Sequence, residues 1–91
     1  MQCTLRYTSH ALKDLEQLDK KMTKRILDKL DWFVAQVQPL SFAKKLKNSD
    51  LGTYRFRVGD YRILFDIEEN TSKVSILMIL RIKHRKEAYG L

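Results

Sequence analysis

Residues 52–70 read GTYRFRVGDYRILFDIEEN. Within them Tyr54, Phe56 and Val58 alternate with Arg55 and Arg57. A β-strand turns successive side chains to opposite faces, so this pattern sets an apolar face back to back with a cationic one. Gly59-Asp60 is a two-residue connection suited to a tight hairpin. Beyond it Tyr61, Ile63, Phe65 and Ile67 continue the apolar face, while Arg62, Leu64 and Asp66 turn outward. Asn70-Thr71-Ser72 leads into KVSILMILRIK, a run apolar on both faces as far as Ile79 and therefore expected in the middle of the sheet. By the same parity Arg81 and Lys83, two apart, share the cationic face.

Upstream, QCTLRY at 2–7 reads as a first strand, with Cys3, Leu5 and Tyr7 on one side. Thr8-Ser9 offers a helix N-cap, and Leu12, Leu15 and Leu18 recur at helical spacing. Asp19 can cap a second helix whose stripe is Met22, Ile26, Leu30, Phe33 and Val37, widened by Leu27 and Val34. Its opposite face carries Lys20, Lys24, Asp28, Lys29 and Asp31, as expected of a surface. Trp32 falls between stripe positions, as a peripheral core residue or as part of an exposed apolar patch. Pro39 ends this helix, and residues 40–50 read as a turn of helix and a loop. The expected fold is α+β in one domain over residues 1–91. It has an N-terminal strand, an antiparallel helical hairpin and a three-stranded antiparallel meander, with the helices packed on one face of the sheet.

Composition narrows the function. The chain has 91 residues, 44% hydrophobic, with one Pro and three Gly. It has no uncharged apolar run of membrane-spanning length, and MQCTLRYTSH lacks the apolar core of a signal peptide. A cytoplasmic protein is expected. Cys3 is alone and the histidines are His10 and His84, so neither a disulfide framework nor a Cys- or His-rich metal site is expected, and no cofactor is called for. The net charge of +7 is concentrated. Lys44, Lys45, Lys47, Arg55, Arg57 and Arg62 outnumber Asp50 and Asp60 by four over 44–62, and Arg81, Lys83, Arg85 and Lys86 face no acid over 81–86. Basicity gathered in two stretches points to a polyanion as partner.

The chain offers no Gly-rich phosphate loop, no paired carboxylates among the arginines and no Ser-His-Asp arrangement. RNA, however, brings its own nucleophile in the 2′-hydroxyl. Its cleavage needs that oxygen held in line with phosphorus, the extra negative charge neutralised and the proton transfers assisted. Arginines supply forked, charge-assisted hydrogen bonds for the second task. A histidine such as His84 can serve the third, and Tyr89 can stack on a base.

YRFRVGDYRILFDIEEN, followed by a hydrophobic strand and KHRKEAYG, resembles the RelE/ParE toxin superfamily, and its RelE branch in particular, over essentially the whole chain. The resemblance implies a ribosome-dependent mRNA interferase. Such an enzyme cuts mRNA in the A site of the 70S ribosome and is held inactive by a cognate antitoxin in a toxin–antitoxin hetero-oligomer. It implies catalytic roles for Arg55, Arg57, Arg62, Arg85 and Tyr89, with His84 beside them. Lys44, Lys45 and Lys47 match the family's basic loop and, with Arg81, Lys83 and Lys86, are expected to touch RNA phosphates. Lys83 is the alternative equivalent for Arg85. The archetype of the branch has lysines where this chain has Arg55 and Arg57. Arginine does not readily give up its proton, so the base role shifts to His84 or to a group of the ribosome or substrate. The alternative is the ParE branch, which shares the fold and inhibits DNA gyrase without catalysis.

Overall fold

The computed structural model of the chain describes residues 2–47, 52–70 and 74–88. The Thr71-Ser72 turn and Tyr89 lie outside the described residues. The order is β1 (Gln2–Tyr7), α1 (Ser9–Glu16), α2 (Lys20–Ala35), a 3-10 turn (Pro39–Phe42), β2 (Lys44–Lys45), β3 (Tyr54–Val58), β4 (Tyr61–Asn70) and β5 (Val74–His84). The sheet runs β1-β5-β4-β3-β2, with β1 parallel to β5 and every other pair antiparallel. The run that is apolar on both faces therefore sits between two neighbours, as its composition requires. Among the described residues no helix is long and apolar enough to cross a membrane.

The helices start where side chains can satisfy their orphan N–H groups. Thr8 Oγ1 accepts from Ala11 N–H at 3.1 Å and donates to the Leu80 carbonyl at 2.9 Å, so it ties the start of α1 to β5. Asp19 Oδ1 accepts from Met22 N–H at 2.8 Å. Thr23 Oγ1 donates to the Leu15 carbonyl at 3.0 Å and joins the two helices. Ala11 and Leu15 of α1 and Ile26, Leu30 and Phe33 of α2 then close over Phe56, Val58, Ile63, Phe65, Leu77, Ile79 and Ile82 of the sheet. Phe33 stacks on Phe56 at 4.3 Å between ring centroids, and Phe56 on Phe65 at 4.5 Å. Each such aromatic side chain contributes about 3–5 kcal/mol when truncation to alanine is the measure.

Four expectations need correction. Val37 is 96% exposed, because α2 ends at Ala35 and Gln36 is already extended (ψ 158°). A proline disfavours helical geometry at the residue before it, so the helix has to end ahead of Pro39, and the stripe stops at Phe33. Leu12 is 48% exposed, and α1 buries Ala11 and Leu15 instead. Lys44–Lys45 pair with β3 as a short edge strand within the stretch read as loop. Leu64, which parity turns away from the helices, is fully buried.

In its row Leu64 is flanked on the two neighbouring strands by Arg55 and Arg81. The chain entering β3 runs so close to β4 at Gly52 that a Cβ there would lie 3.1 Å from Leu80 Cδ1 and 3.2 Å from the Phe65 carbonyl oxygen. With φ at +137°, glycine is the residue that fits. Leu46 and Ala88 are buried as well, outside the main core. What stays open of the cationic face is the end nearest the β3–β4 turn.

The strands β4 and β5 lose register twice. Leu64 pairs with Arg81 but Phe65 with Ile79, which leaves Leu80 as the extra residue of a bulge on β5; Glu68 is its counterpart on β4. The strand β1 stops opposite Ile79, so the edge of β5 beyond it lacks a neighbour. Asp14 fills that place. Its Oδ2 accepts from Ile82 N–H at 2.8 Å, and the carboxylate takes a forked pair from Arg81 at 2.9 and 3.1 Å. Burial alone would raise this carboxyl, but the Arg81 and Ile82 hydrogen bonds and the charges of Arg81 and Lys83 outweigh it and hold it below the ordinary value.

Asp14→Ala should therefore cost about 1–3 kcal/mol of unfolding free energy, as a half-buried strand N–H and an arginine lose a charged acceptor. The folded carboxyl holds its proton less tightly than the unfolded one. Its contribution is thus complete above the unfolded value of about 4 and drains away as pH falls through the lower folded value. Urea denaturation of both proteins at a series of pH values checks this. The gap between them should be widest near neutrality and shrink below about pH 4; a gap that does not change with pH would remove the charge from the explanation.

Candidate nucleic-acid interface

The β-ladder brings three cations into one row. Arg57 pairs with Arg62 across β3 and β4, and Arg62 pairs with Lys83 across β4 and β5. Directly opposed residues share a face, with Cβ atoms about 5 Å apart. A second row runs Lys44, Arg55, Leu64, Arg81 through the same face. Like charges set opposite one another destabilise a sheet, and the guanidinium groups register this. Burial first, then the charges of Arg57 and Arg85, lower the Arg62 pKa below its ordinary value, against the pull of Asp60. Burial first, then Arg57 and Arg62, do the same for Arg55.

The turn at Gly59-Asp60 organises this end of the sheet. Arg62 Nη1 donates to the carbonyls of Gly59 (3.0 Å) and Tyr61 (3.1 Å), which draws its guanidinium over the turn. Arg85 N–H donates to the Asp60 carbonyl at 2.6 Å, and Arg85 Nε lies 3.7 Å from Asp60 Oδ1. Both of those side chains are about 60% exposed, so the ion pair itself is weak and the backbone bond does most of the holding. Arg55, Arg57, Arg62, Lys83 and Arg85 thus converge from three strands and the segment after β5. Such a group can fork onto phosphate oxygens and neutralise developing charge. The arginines keep their protons and cannot act as bases near neutral pH.

Other candidates lie elsewhere. Arg81 turns round the edge of β5 to Asp14 and is committed there, so it leaves the row its parity assigned to it. His84 is opposite Tyr61, on the helix side of the sheet, because it is one residue on from Lys83. Its ring stands edge-on to Tyr61 at 5.4 Å, and its Nδ1 accepts from Lys86 N–H at 3.2 Å. Its carbonyl accepts from Glu87 and Ala88 N–H. His84 builds the turn that presents Arg85 and does not stand among the arginines. Lys44 shares the face of Arg55, whereas Lys45 pairs with Tyr54 on the other side. Lys47 and Lys86 are exposed. Tyr89 is outside the described residues.

Sequence reasoning missed Arg25. A Cβ on Gly59 would lie 3.1 Å from both Arg25 Nη1 and Nη2, so this α2 guanidinium rests on the hairpin tip beside the cluster. The signal was faint: Lys21 and Arg25 are one helical turn apart on a face that read as ordinary surface.

Known proteins resemble this chain in sequence and fold. Residues 5–89 match the family described as the ParE toxin of the type II toxin–antitoxin system parDE. The chain is 30% identical over 89 residues to Toxin RelG of Mycobacterium tuberculosis, covering 98% of each chain. Among solved structures it resembles a chain of the toxin–antitoxin complex RelBE2 of M. tuberculosis, with a TM-score of 0.68, 29% identity and 90% of this chain and 96% of that one covered. It also resembles a chain of the archaeal RelE–RelB complex of Pyrococcus horikoshii, with a TM-score of 0.66, 27% identity and coverage of 93% and 97%. The chain belongs to the RelE/ParE superfamily of toxins of type II toxin–antitoxin systems.

Proposed function

We propose that this toxin is a ribosome-dependent endoribonuclease that cuts mRNA in the A site, stops translation in the cytoplasm and is neutralised by a cognate antitoxin. The observation that carries the reading is the row Arg57, Arg62, Lys83, joined by Arg55 and Arg85. The relatives named RelG and RelE and the RelE–RelB complexes support it. In the reaction the 2′-oxygen bonds to the adjacent phosphorus as the bond to the 5′-oxygen breaks. The products are a 2′,3′-cyclic phosphate and a 5′-hydroxyl. The arginines neutralise the added charge on the phosphoryl oxygens, a contribution of about 2.7–4 kcal/mol for a well-placed donor. With His84 on the far face, the proton of the 2′-hydroxyl passes to a group of the ribosome or substrate, and the leaving 5′-oxygen takes one from the same surroundings. RNA supplies the nucleophile, so the step needs no metal. The matched family carries the ParE description, and inhibition of DNA gyrase by the same fold is therefore the second reading.

Arg62→Ala and Arg85→Ala should each lower single-turnover cleavage on translating ribosomes by roughly 10²-fold, with little change in stability. Full activity in the double variant would remove both residues from the chemistry. His84→Ala should cost less than either, because it acts through the turn that holds Arg85; a larger loss would return it to the reacting atoms. Primer extension on a translated mRNA after brief induction separates the two functions. Cuts within translated codons, with supercoiling unchanged, fit the nuclease. Intact mRNA with accumulating cleaved DNA–gyrase complexes fits the gyrase inhibitor.

A further inference from the structure

A groove of about 620 Å³ lies between α2 and the β3–β4 turn, on the helix side of the cation row. Lys21, Lys24, Arg25 and Lys29 line one wall, Arg57 and Gly59 the other, and Trp32 closes one end. Asp28 is the acid of this lining, and Lys24 already holds it at 2.6 Å. Among the described residues Lys21, Arg25 and Arg57 make no ion pair. The groove therefore keeps a surplus of four positive charges, counted over its lining.

Two features decide what such a groove takes. It is continuous with the sheet site, since Arg57 belongs to both and Arg25 rests on the turn between them. Its one large exposed apolar side chain is Trp32, 44% exposed. Trp32 has Lys29 Nζ over its ring at 4.2 Å and packs edge-on against Phe33 and Phe42, while Val58 is buried. Protein partners draw their binding energy from apolar anchors seated in pockets, whereas the exposed ring in this groove, Trp32, is already packed by Lys29, Phe33 and Phe42 amid five cations. A chain of regularly spaced phosphates needs only the cations.

We propose that this groove binds single-stranded RNA flanking the cleavage position, with the strand passing from the sheet over the hairpin tip and along α2. Lys21 and Arg25 then contact backbone phosphates without reading sequence. The proposal rests on the nuclease reading and extends it from the scissile phosphate to the neighbouring nucleotides. It makes recognition depend on the length of the RNA.

Fluorescence anisotropy with 2′-O-methyl RNA, which cannot be cut by its own 2′-oxygen, tests it with strands of about 4 and about 15 nucleotides. The native toxin should bind the longer strand more tightly and with the steeper salt dependence. Lys21→Ala/Arg25→Ala should weaken the longer strand roughly tenfold near 0.1 M salt and reduce the slope of log K against log salt by about 1.4, that is about 0.7 per lost phosphate contact. Binding of the shorter strand and the melting temperature should not move. Lys21→Glu, which leaves Arg25 on the hairpin, should act in the same direction. Equal affinity of the native toxin for both lengths, or an unchanged affinity for the longer strand in both variants, would overturn the proposal. So would loss of poly-glutamate binding with RNA binding intact, which would give the groove to an acidic protein. The nuclease reading is judged separately, by ribosomal cleavage with Arg62→Ala.

Discussion

The stack of Phe33, Phe56 and Phe65 is the contact on which the rest of the molecule depends. It joins α2 to β3 and β4 through rings 4.3 and 4.5 Å apart, and it occupies one face of the hairpin. Because neighbouring strand residues point in opposite directions, the same stack obliges Arg55, Arg57 and Arg62 to leave by the other face. A slip of one residue in the pairing would exchange the two sets and drive three guanidinium groups into the core. Core and cationic site are thus two sides of a single register.

That register also accepts an unfavourable arrangement. Arg57, Arg62 and Lys83 oppose one another across three strands, where a sheet built for stability alone would alternate the signs. The repulsion is moderated locally. Arg62 leans on the carbonyls of the turn, and Asp60 stands between it and Arg85. Among the described residues Asp60 is one carboxylate against Arg57, Arg62, Lys83 and Arg85, an arrangement that favours an anion. Repulsion of this kind distinguishes the open end of the sheet from the closed core beneath.

Alternation over 54–65 made the hairpin, its two faces and the burial of Phe56, Ile63 and Phe65 legible in the residues themselves, because periodicity reports directly on which side of a strand is dry. The helix caps at Thr8 and Asp19 were legible for a similarly local reason. What stayed hidden depends on pairs distant in the chain. Nothing near Gly52 announces that it will lie against Leu80 and the Phe65 carbonyl. Nothing near Arg81 announces an edge left open by the end of β1 and filled by Asp14. His84 lies so close in sequence to Lys83 and Arg85 that it reads as one of them, yet pairing with Tyr61 puts it across the sheet. Likewise Arg25 reaches the site only because the helical hairpin lies against the turn at Gly59.

The bulge at Leu80 works as a phase shift. Before it Leu77 and Ile79 point to the helices; after it Ile82 does, three positions on instead of two or four. The single extra residue allows one strand to stay apolar through its middle and still deliver Lys83 to the side of the sheet where Arg62 waits. Removal of that residue would change no charge and little composition, yet it would reverse the facing of everything downstream, with Lys83 against the helices and Ile82 in water. For this strand, spelling and framing are separate kinds of information. Substitutions along it erode the protein by degrees, whereas a one-residue insertion or deletion before Arg81 turns its last quarter inside out.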